Sequence, residues 1–301
     1  MRSRIWMLLV GVGCASGPAD ESSGDTDDVG PAPWSVVDPL ERTIHEDRTW
    51  SDRSYILHAP AGIDLGRGTP VVLASHGATP SFVDAAVSHA AITEMEPHAD
   101  ANGYILVLPR ARVFEETAYW PDMPEGQADI DFIEAVLAEL DDELDIDESA
   151  IYATGFSSGG YFSYLLAAER PELLAGIGPV GAGSYREGYG AGVGTPVVAL
   201  HGTEDARVPD SVGRSAVEES ALAQRCDPEP VTSYEQGEVT CSQWLGCPDD
   251  HVVEFCLAQG AGHTWPGSEG SESLLSAFGE GETTFDIVAT EHLWERLHLG
   301  L

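Results

Sequence analysis

The run Thr154-Gly155-Phe156-Ser157-Ser158-Gly159-Gly160-Tyr161 sets two serines among three glycines, directly after the strand-like AIYA and just before the helix-like FSYLLAAER. Where a strand turns straight into a helix, the central residue is held in strained backbone and side chains two positions away would collide with it. Glycine at 155 and 159 removes that collision, and the turn pushes the Ser157 hydroxyl off the end of the sheet as a candidate nucleophile. Ser158 falls on the helix side of the turn and is the lesser candidate; its N–H, at the positive end of the helix, is a candidate donor to developing negative charge. A glycine-rich packing turn is the plainer reading of the same stretch.

A nucleophilic serine needs a base and an acid to orient that base. Among ten histidines, His263 stands in GAGHTWPG, after the apolar run VVEFCLAQ. His201, opening HG at another strand end, is its main rival, while His76 reads as a loop residue and His292 and His298 as helix surface or packing. Asp205 lies in LHGTEDARVP, after the run TPVVAL, with Glu204 and Asp210 as rivals. The order serine, acid, histidine, each after a strand, is the order of the α/β hydrolases, and open α/β sheets gather their sites at strand C-termini. A second oxyanion donor is expected after an early strand. In ASHGATPS, Gly77 permits close backbone approach and the N–H of Ala78 is the candidate.

The positioning elements follow from periodicity. RSYILHAP reads as an edge strand; TPVVLASHG, YILVLPRA and AIYATG read as buried strands. Residues 128–144 form a helix whose apolar face holds Ile130, Ile133, Val136, Leu137 and Leu140, with Asp131, Glu139 and Asp142 opposite. GYFSYLLAAER, VPDSVGRSAVEESALAQ and TFDIVATEHLWERLH read as further helices, and LLAGIGPVGAG, TPVVALHG and HVVEFCLAQ as further strands. Alternating strand and helix predict an α/β fold with a mostly parallel central sheet and helices on both faces. Residues 226–250 fit neither period and read as a disulfide-pinned insertion.

The whole chain has 301 residues, 43% of them hydrophobic, enough for a full core. All 14 cationic residues are arginine, against 51 acids, for a net charge of -37. That charge repels nucleic acid and anionic membrane surfaces, so neither is expected as a partner. Without lysine there is no Schiff base, Ser–Lys pair or P-loop lysine. MRSR followed by IWMLLVGVG reads as a signal peptide over residues 1–14. With Cys14 after it, the stretch resembles a bacterial lipoprotein signal, in which Cys14 is lipidated; a plain secretory signal is the alternative. Residues 15–33 read as a disordered acidic linker and 34–301 as the catalytic domain. In an exported chain, Cys226, Cys241, Cys247 and Cys256 suggest two disulfides, with three pairings open. The absence of a CxxC pair argues against zinc, so no metal is expected.

Taken together, HGATPS, ATGFSSGGYFSYLLAAERPELLAGIGPVGAG, HGTEDARVP, GAGHTWPG and FDIVATEHLWERL resemble exported esterases of the polyhydroxybutyrate depolymerase and feruloyl esterase group, from about Val71 to the C-terminus. The resemblance implies the α/β-hydrolase fold, with Ser157, Asp205 and His263 as nucleophile, acid and base, and no cofactor. It implies a Cys226–Cys247 disulfide, which leaves Cys241 with Cys256. Serine at 158 in place of a frequent asparagine, and a less aromatic segment around Trp120, depart from the pattern and bear on substrate more than on catalysis. Trp120 and Trp265 are candidate apolar walls of the substrate site, with core packing as the alternative for each. The expected partner is an ester, polymeric in some relatives: feruloyl or acetyl esters of polysaccharide, or short polyhydroxyalkanoates. The only expected contact with a membrane is a lipid at Cys14. A non-catalytic surface binding protein and a serine peptidase are the alternatives on the same scaffold.

Overall fold

The computed structural model describes residues 44–63, 68–186, 190–191, 194–275 and 279–298. The expected signal segment with Cys14 and the linker to residue 33 lie outside them. In chain order the elements are β1 (Ile44–Trp50), β2 (Arg53–Ala59), β3 (Thr69–Ser75), β4 (Thr79–Pro80), α1 (Ala85–Thr93), α2 (Met95–Asn102), β5 (Ile105–Pro109), β6 (Val113–Phe114), β7 (Thr117–Ala118), α3 (Gln127–Leu144), β8 (Ile146–Phe156), α4 (Ser158–Glu169), β9 (Gly176–Val180), β10 (Val197–Gly202), α5 (Asp210–Ala223), β11 (Val231–Gln236), β12 (Val239–Trp244), β13 (Val253–Ala258), α6 (Glu269–Leu275) and α7 (Ala289–His298).

Ten strands form one sheet in the order β1-β2-β5-β3-β8-β9-β10-β13-β12-β11. The six from β5 to β13 run parallel, and antiparallel strands extend both ends. Alternate residues feed two cores. Val71, Leu73, Ile105 and Val107 face one side, packed with α3, α4 and α5 residues such as Val136, Phe162 and Val217. Val72, Ala74, Leu106 and Leu108 face the other, packed with Ile92, Met95 and Leu293 of α1, α2 and α7. A sheet buried on both faces is what the continuous apolar runs of the sequence require.

Three expectations are corrected. RSYILHAP is not the edge: β2 is buried between β1 and β5, and the polar β1 covers it. The segment 226–250 is not irregular. It holds the hairpin β11–β12, which adds two antiparallel strands to the main sheet. The last helix begins at Ala289, so the TFDIV part of its predicted span is not helical. The disulfides join Cys226 to Cys247 and Cys241 to Cys256. The second links register partners of β12 and β13, and closing loops of this size stabilises a fold by about 3 kcal/mol per bridge.

Candidate active site

Strands β8, β9, β10 and β13 are adjacent and parallel, so the turns that follow them open on one edge of the sheet. Ser157, between β8 and α4, has φ 54° and ψ -119°, a conformation costly for a residue with a Cβ and typical of functional turns. Its glycine neighbours are required by contact distance. A Cβ on Gly159 would lie 1.9 Å from the Ser75 carbonyl oxygen, and one on Gly155 would lie 2.4 Å from the Gly159 carbonyl carbon. The turn is tied to the sheet by the Ser157 N–H, which donates to Val180 O at 2.9 Å.

Asp205 lies in the turn after β10 and is buried. Its Oδ1 accepts the N–H groups of Arg207 and Val208, each at 2.8 Å. Its Oδ2 is 2.6 Å from His263 Nδ1 and 3.3 Å from His201 Nε2. Burial pushes the carboxyl up, but the hydrogen bonds from His201 and His263 outweigh it and hold the group well below the usual carboxylate range. His263, in the turn after β13, is fixed from two further directions. Its ring packs on Phe156 with centroids 4.6 Å apart, and its N–H donates to Glu280 O at 2.7 Å. With Nδ1 engaged by Asp205, Nε2 is the nitrogen left for the cleft.

Ser157 and His263 line one cleft of about 440 Å³, together with Gly77, Ala78, Phe82, Ile92 and Leu275. At its mouth Arg207 pairs bidentately with Glu280, at 2.8 and 2.6 Å. A larger cavity of about 610 Å³ lies between α2 and the start of α7. It contains none of the candidate nucleophile, base or acid residues, so the smaller cleft is the site the chemistry points to.

The remaining candidates sort by position. Ala78 lines the cleft. Ser158 opens α4, where the first N–H groups of a helix have no intrahelical partner; its hydroxyl is engaged with Trp120, accepting from the backbone N–H at 3.0 Å. Trp120 is not an apolar wall of the cleft. Its ring is 0% exposed, stacks on Phe162 at 4.5 Å and donates from Nε1 to His76 O at 3.0 Å. It braces both the Ser158 turn and the loop that carries Ala78. Trp265, also 0% exposed, lines the larger cavity rather than the cleft and donates to Thr290 Oγ1 at 3.1 Å. Both indoles lie inside the hydrophobic cores, which is why neither reaches the Ser157 side.

The rival histidines take supporting places. His76 Nε2 accepts the N–H of Ala111 at 3.0 Å, which leaves the proton on Nδ1 to be donated to Gly77 O at 2.6 Å. Burial pushes this imidazole down to about 4. His201 donates from Nε2 to Val208 O at 2.8 Å and does not line the cleft. Its contact with Asp205 went unread in the sequence. The i, i+4 spacing across a strand-ending turn is the signal that pointed to it.

No family model matches the chain. It is 29% identical over 257 residues to NocK of Nocardia uniformis subsp. tsuyamanensis, which carries an esterase name, covering 71% of each chain. It is 28% identical over 138 residues to feruloyl esterase C of Emericella nidulans, covering 45% of this chain and 50% of that one. Among solved structures, an acetyl xylan esterase from Aspergillus awamori superposes with a TM-score of 0.59 at 16% identity, over 79% of this chain and 100% of that one. A feruloyl esterase module from Clostridium thermocellum superposes with a TM-score of 0.54 at 15% identity, over 87% and 92%. The fold is that of the α/β hydrolases. Both sequence relatives carry esterase names, and the one from Emericella nidulans is named a feruloyl esterase.

Proposed function

We propose that the protein is a serine carboxylic ester hydrolase with Ser157 as nucleophile, His263 as general base and Asp205 as the acid that orients it. The observation that supports this reading best is the 2.6 Å contact between His263 Nδ1 and Asp205 Oδ2, made by an imidazole that shares its cleft with the strained Ser157. Ser157 Oγ attacks the ester carbonyl and passes its proton to His263 Nε2. The N–H groups of Ser158 and Ala78 receive the oxyanion, a term usually worth about 3 kcal/mol per donor. The imidazolium returns the proton to the departing alkoxide, and an acyl-enzyme remains. Water then attacks the acyl carbon, giving its proton to His263, which passes it to Ser157 Oγ as the acyl–serine bond breaks and the acid product is released.

The names of the relatives point to feruloyl or acetyl esters of polysaccharide as substrates, with short polyhydroxyalkanoates as the further class. Residues 34–301 constitute the catalytic domain, exported behind the signal segment and anchored by lipid at Cys14. Two disulfides are compatible with an oxidising compartment. The test is covalent labelling of the whole protein by a fluorophosphonate, with the modified peptide mapped, beside hydrolysis of p-nitrophenyl acetate and butyrate. Labelling at Ser157 that abolishes hydrolysis is the expected result; an unlabelled protein that turns over neither ester ends the reading.

A further inference from the structure

His45 on β1 and His58 on β2 are register partners of an antiparallel pair, so their side chains leave the sheet on one face. That face is the one α2 covers: Ile56, two residues before His58 on its strand, packs in one core with Met95 and Ala99 of α2. Glu96 and Asp100 lie four residues apart on α2, on one side of the helix. Three elements thus bring two imidazoles and two carboxylates together, and none of the four residues lines the cleft of Ser157.

His58 is the fixed member. It is 5% exposed, and its Nε2 stands 3.0 Å from Asp100 Oδ1. An ionised carboxylate only accepts, so Nε2 carries the proton and, in the neutral ring, Nδ1 carries the lone pair. Nδ1 has no hydrogen-bonding partner in the protein, and a buried nitrogen without one needs a reason. His45 Nδ1 lies 3.6 Å from Glu96 Oε1, and its ring meets that of His58 edge-on with centroids 5.8 Å apart. One nitrogen of each imidazole and one Glu96 oxygen all lie within 4.8 Å of one another. Two separate pairs, His45 with Glu96 and His58 with Asp100, would leave His58 Nδ1 without a partner; a cation shared by the cluster supplies one.

We propose that His45, His58 and Glu96 form a site for a divalent transition cation, zinc foremost, with water in the fourth position and Asp100 holding His58 from behind. Two imidazoles and a carboxylate are a donor set that zinc takes, at about 2.0–2.2 Å, whereas calcium and magnesium take oxygen shells. Bonds of that length set tetrahedral ligand atoms about 3.4 Å apart, so the cluster has to tighten. The side chains of His45 and Glu96, 52% and 31% exposed, are the ones that can turn to do it. A carboxylate on the far nitrogen of a ligating histidine fixes its tautomer and strengthens it as a ligand. The bound ion ties the edge strand β1 to α2. The other grouping of ligand-type side chains, Cys241, Glu254, Cys256 and His292, is closed by its disulfide and takes no part.

The test is calorimetric titration of zinc into the chelator-treated full-length protein, disulfides intact, with millimolar calcium present to occupy exposed carboxylates. One zinc per chain at micromolar affinity is expected. His45→Gln and Glu96→Gln, each at a position open to solvent, should weaken it at least about tenfold, and Asp100→Asn by about tenfold or more. Cobalt(II) in place of zinc should give the parent the intense visible absorption of a four-coordinate ion. The absence of saturable zinc binding overturns the site. So does binding that survives His45→Gln or Glu96→Gln, which would put the ion elsewhere on the acidic surface, and so do the weak bands of six-coordinate cobalt alone. Should His45→Gln fail to fold, Glu96→Gln and the cobalt spectrum of the parent decide.

Discussion

His201 Nε2 stands 3.3 Å from Asp205 Oδ2, the same oxygen that His263 Nδ1 reaches at 2.6 Å. The acid of the proposed triad is therefore held by two imidazoles and two backbone N–H groups, and only one of these four contacts belongs to the reaction. His201 acts through Asp205 and is a positioning residue. Because hydrogen bonding from His201 works against the upward push of burial, its loss raises the Asp205 carboxyl. His201→Phe is expected to lower kcat/KM about tenfold, the usual scale for one hydrogen bond to a charged group. A variant with the kcat/KM of the parent would show that the contact has no part in holding the acid.

The two adjacent serines separate cleanly by environment. Ser157 lines the cleft in strained backbone, whereas the Ser158 hydroxyl is occupied by the Trp120 backbone N–H. Ser157→Ala should lose at least about 10³-fold in ester turnover, since removing a nucleophile leaves only binding and oxyanion stabilisation. Ser158→Ala should stay within about tenfold, its loss reflecting a loosened Trp120 brace of roughly one hydrogen bond. Steady-state kinetics on p-nitrophenyl butyrate compares the two, and equal losses would contradict the assignment of roles.

Gly159 carries the tightest constraint on the nucleophile turn. A methyl group there would sit 1.9 Å from the Ser75 carbonyl oxygen, and both atoms belong to backbone that is buried in paired strand or helix. Neither can yield cheaply, so Gly159→Ala should cost about 3 kcal/mol or more and lower the melting temperature by several degrees. A variant that melts with the parent would show that the turn is looser than its geometry implies.

Local constraints were the legible ones. The need for glycine at 155 and 159 is a matter of a few bonds, so Ser157 could be picked out of the sequence; the parallel strands announced themselves as continuous apolar runs, and with them the turns carrying Asp205 and His263. What escaped depended on partners distant in the chain. β1 and β11, with IHEDRTW and VTSYEQ, are mostly exposed edge strands and carry no apolar run to betray them. α1 and α2, short and weakly patterned, passed unread. Trp120 and Trp265 suit a pocket wall and a core equally well in sequence, as any large aromatic residue does; only burial, a tertiary property, separates the two. His89 gave no signal at all: nothing in AAVSHAAIT distinguishes a solvated histidine from one shut into a cleft without partners.

Acid lability should follow from the same buried rings. Burial pushes His76 down to about 4 and His89 to about 3, against about 6.5 for a free imidazole in the unfolded chain. Below pH 6.5 the unfolded chain therefore takes up protons that the folded one refuses, and stability falls with pH until the folded-state values are reached. His98 and His298, also lowered chiefly by burial, act in the same direction. Asp205 contributes with the opposite chemistry: its depressed carboxyl stabilises the fold above the ordinary carboxylate value and loses that contribution only as pH falls further, so the window from pH 6.5 to 4.5 reports the imidazoles. Urea unfolding should show the free energy flat above pH 7 and dropping by a few kcal/mol across that window. His89→Phe, which removes one of the groups without emptying its place, should reduce the drop by about 2 kcal/mol. A variant whose loss across the same window equals that of the parent would mean that His89 is already solvated in the folded protein.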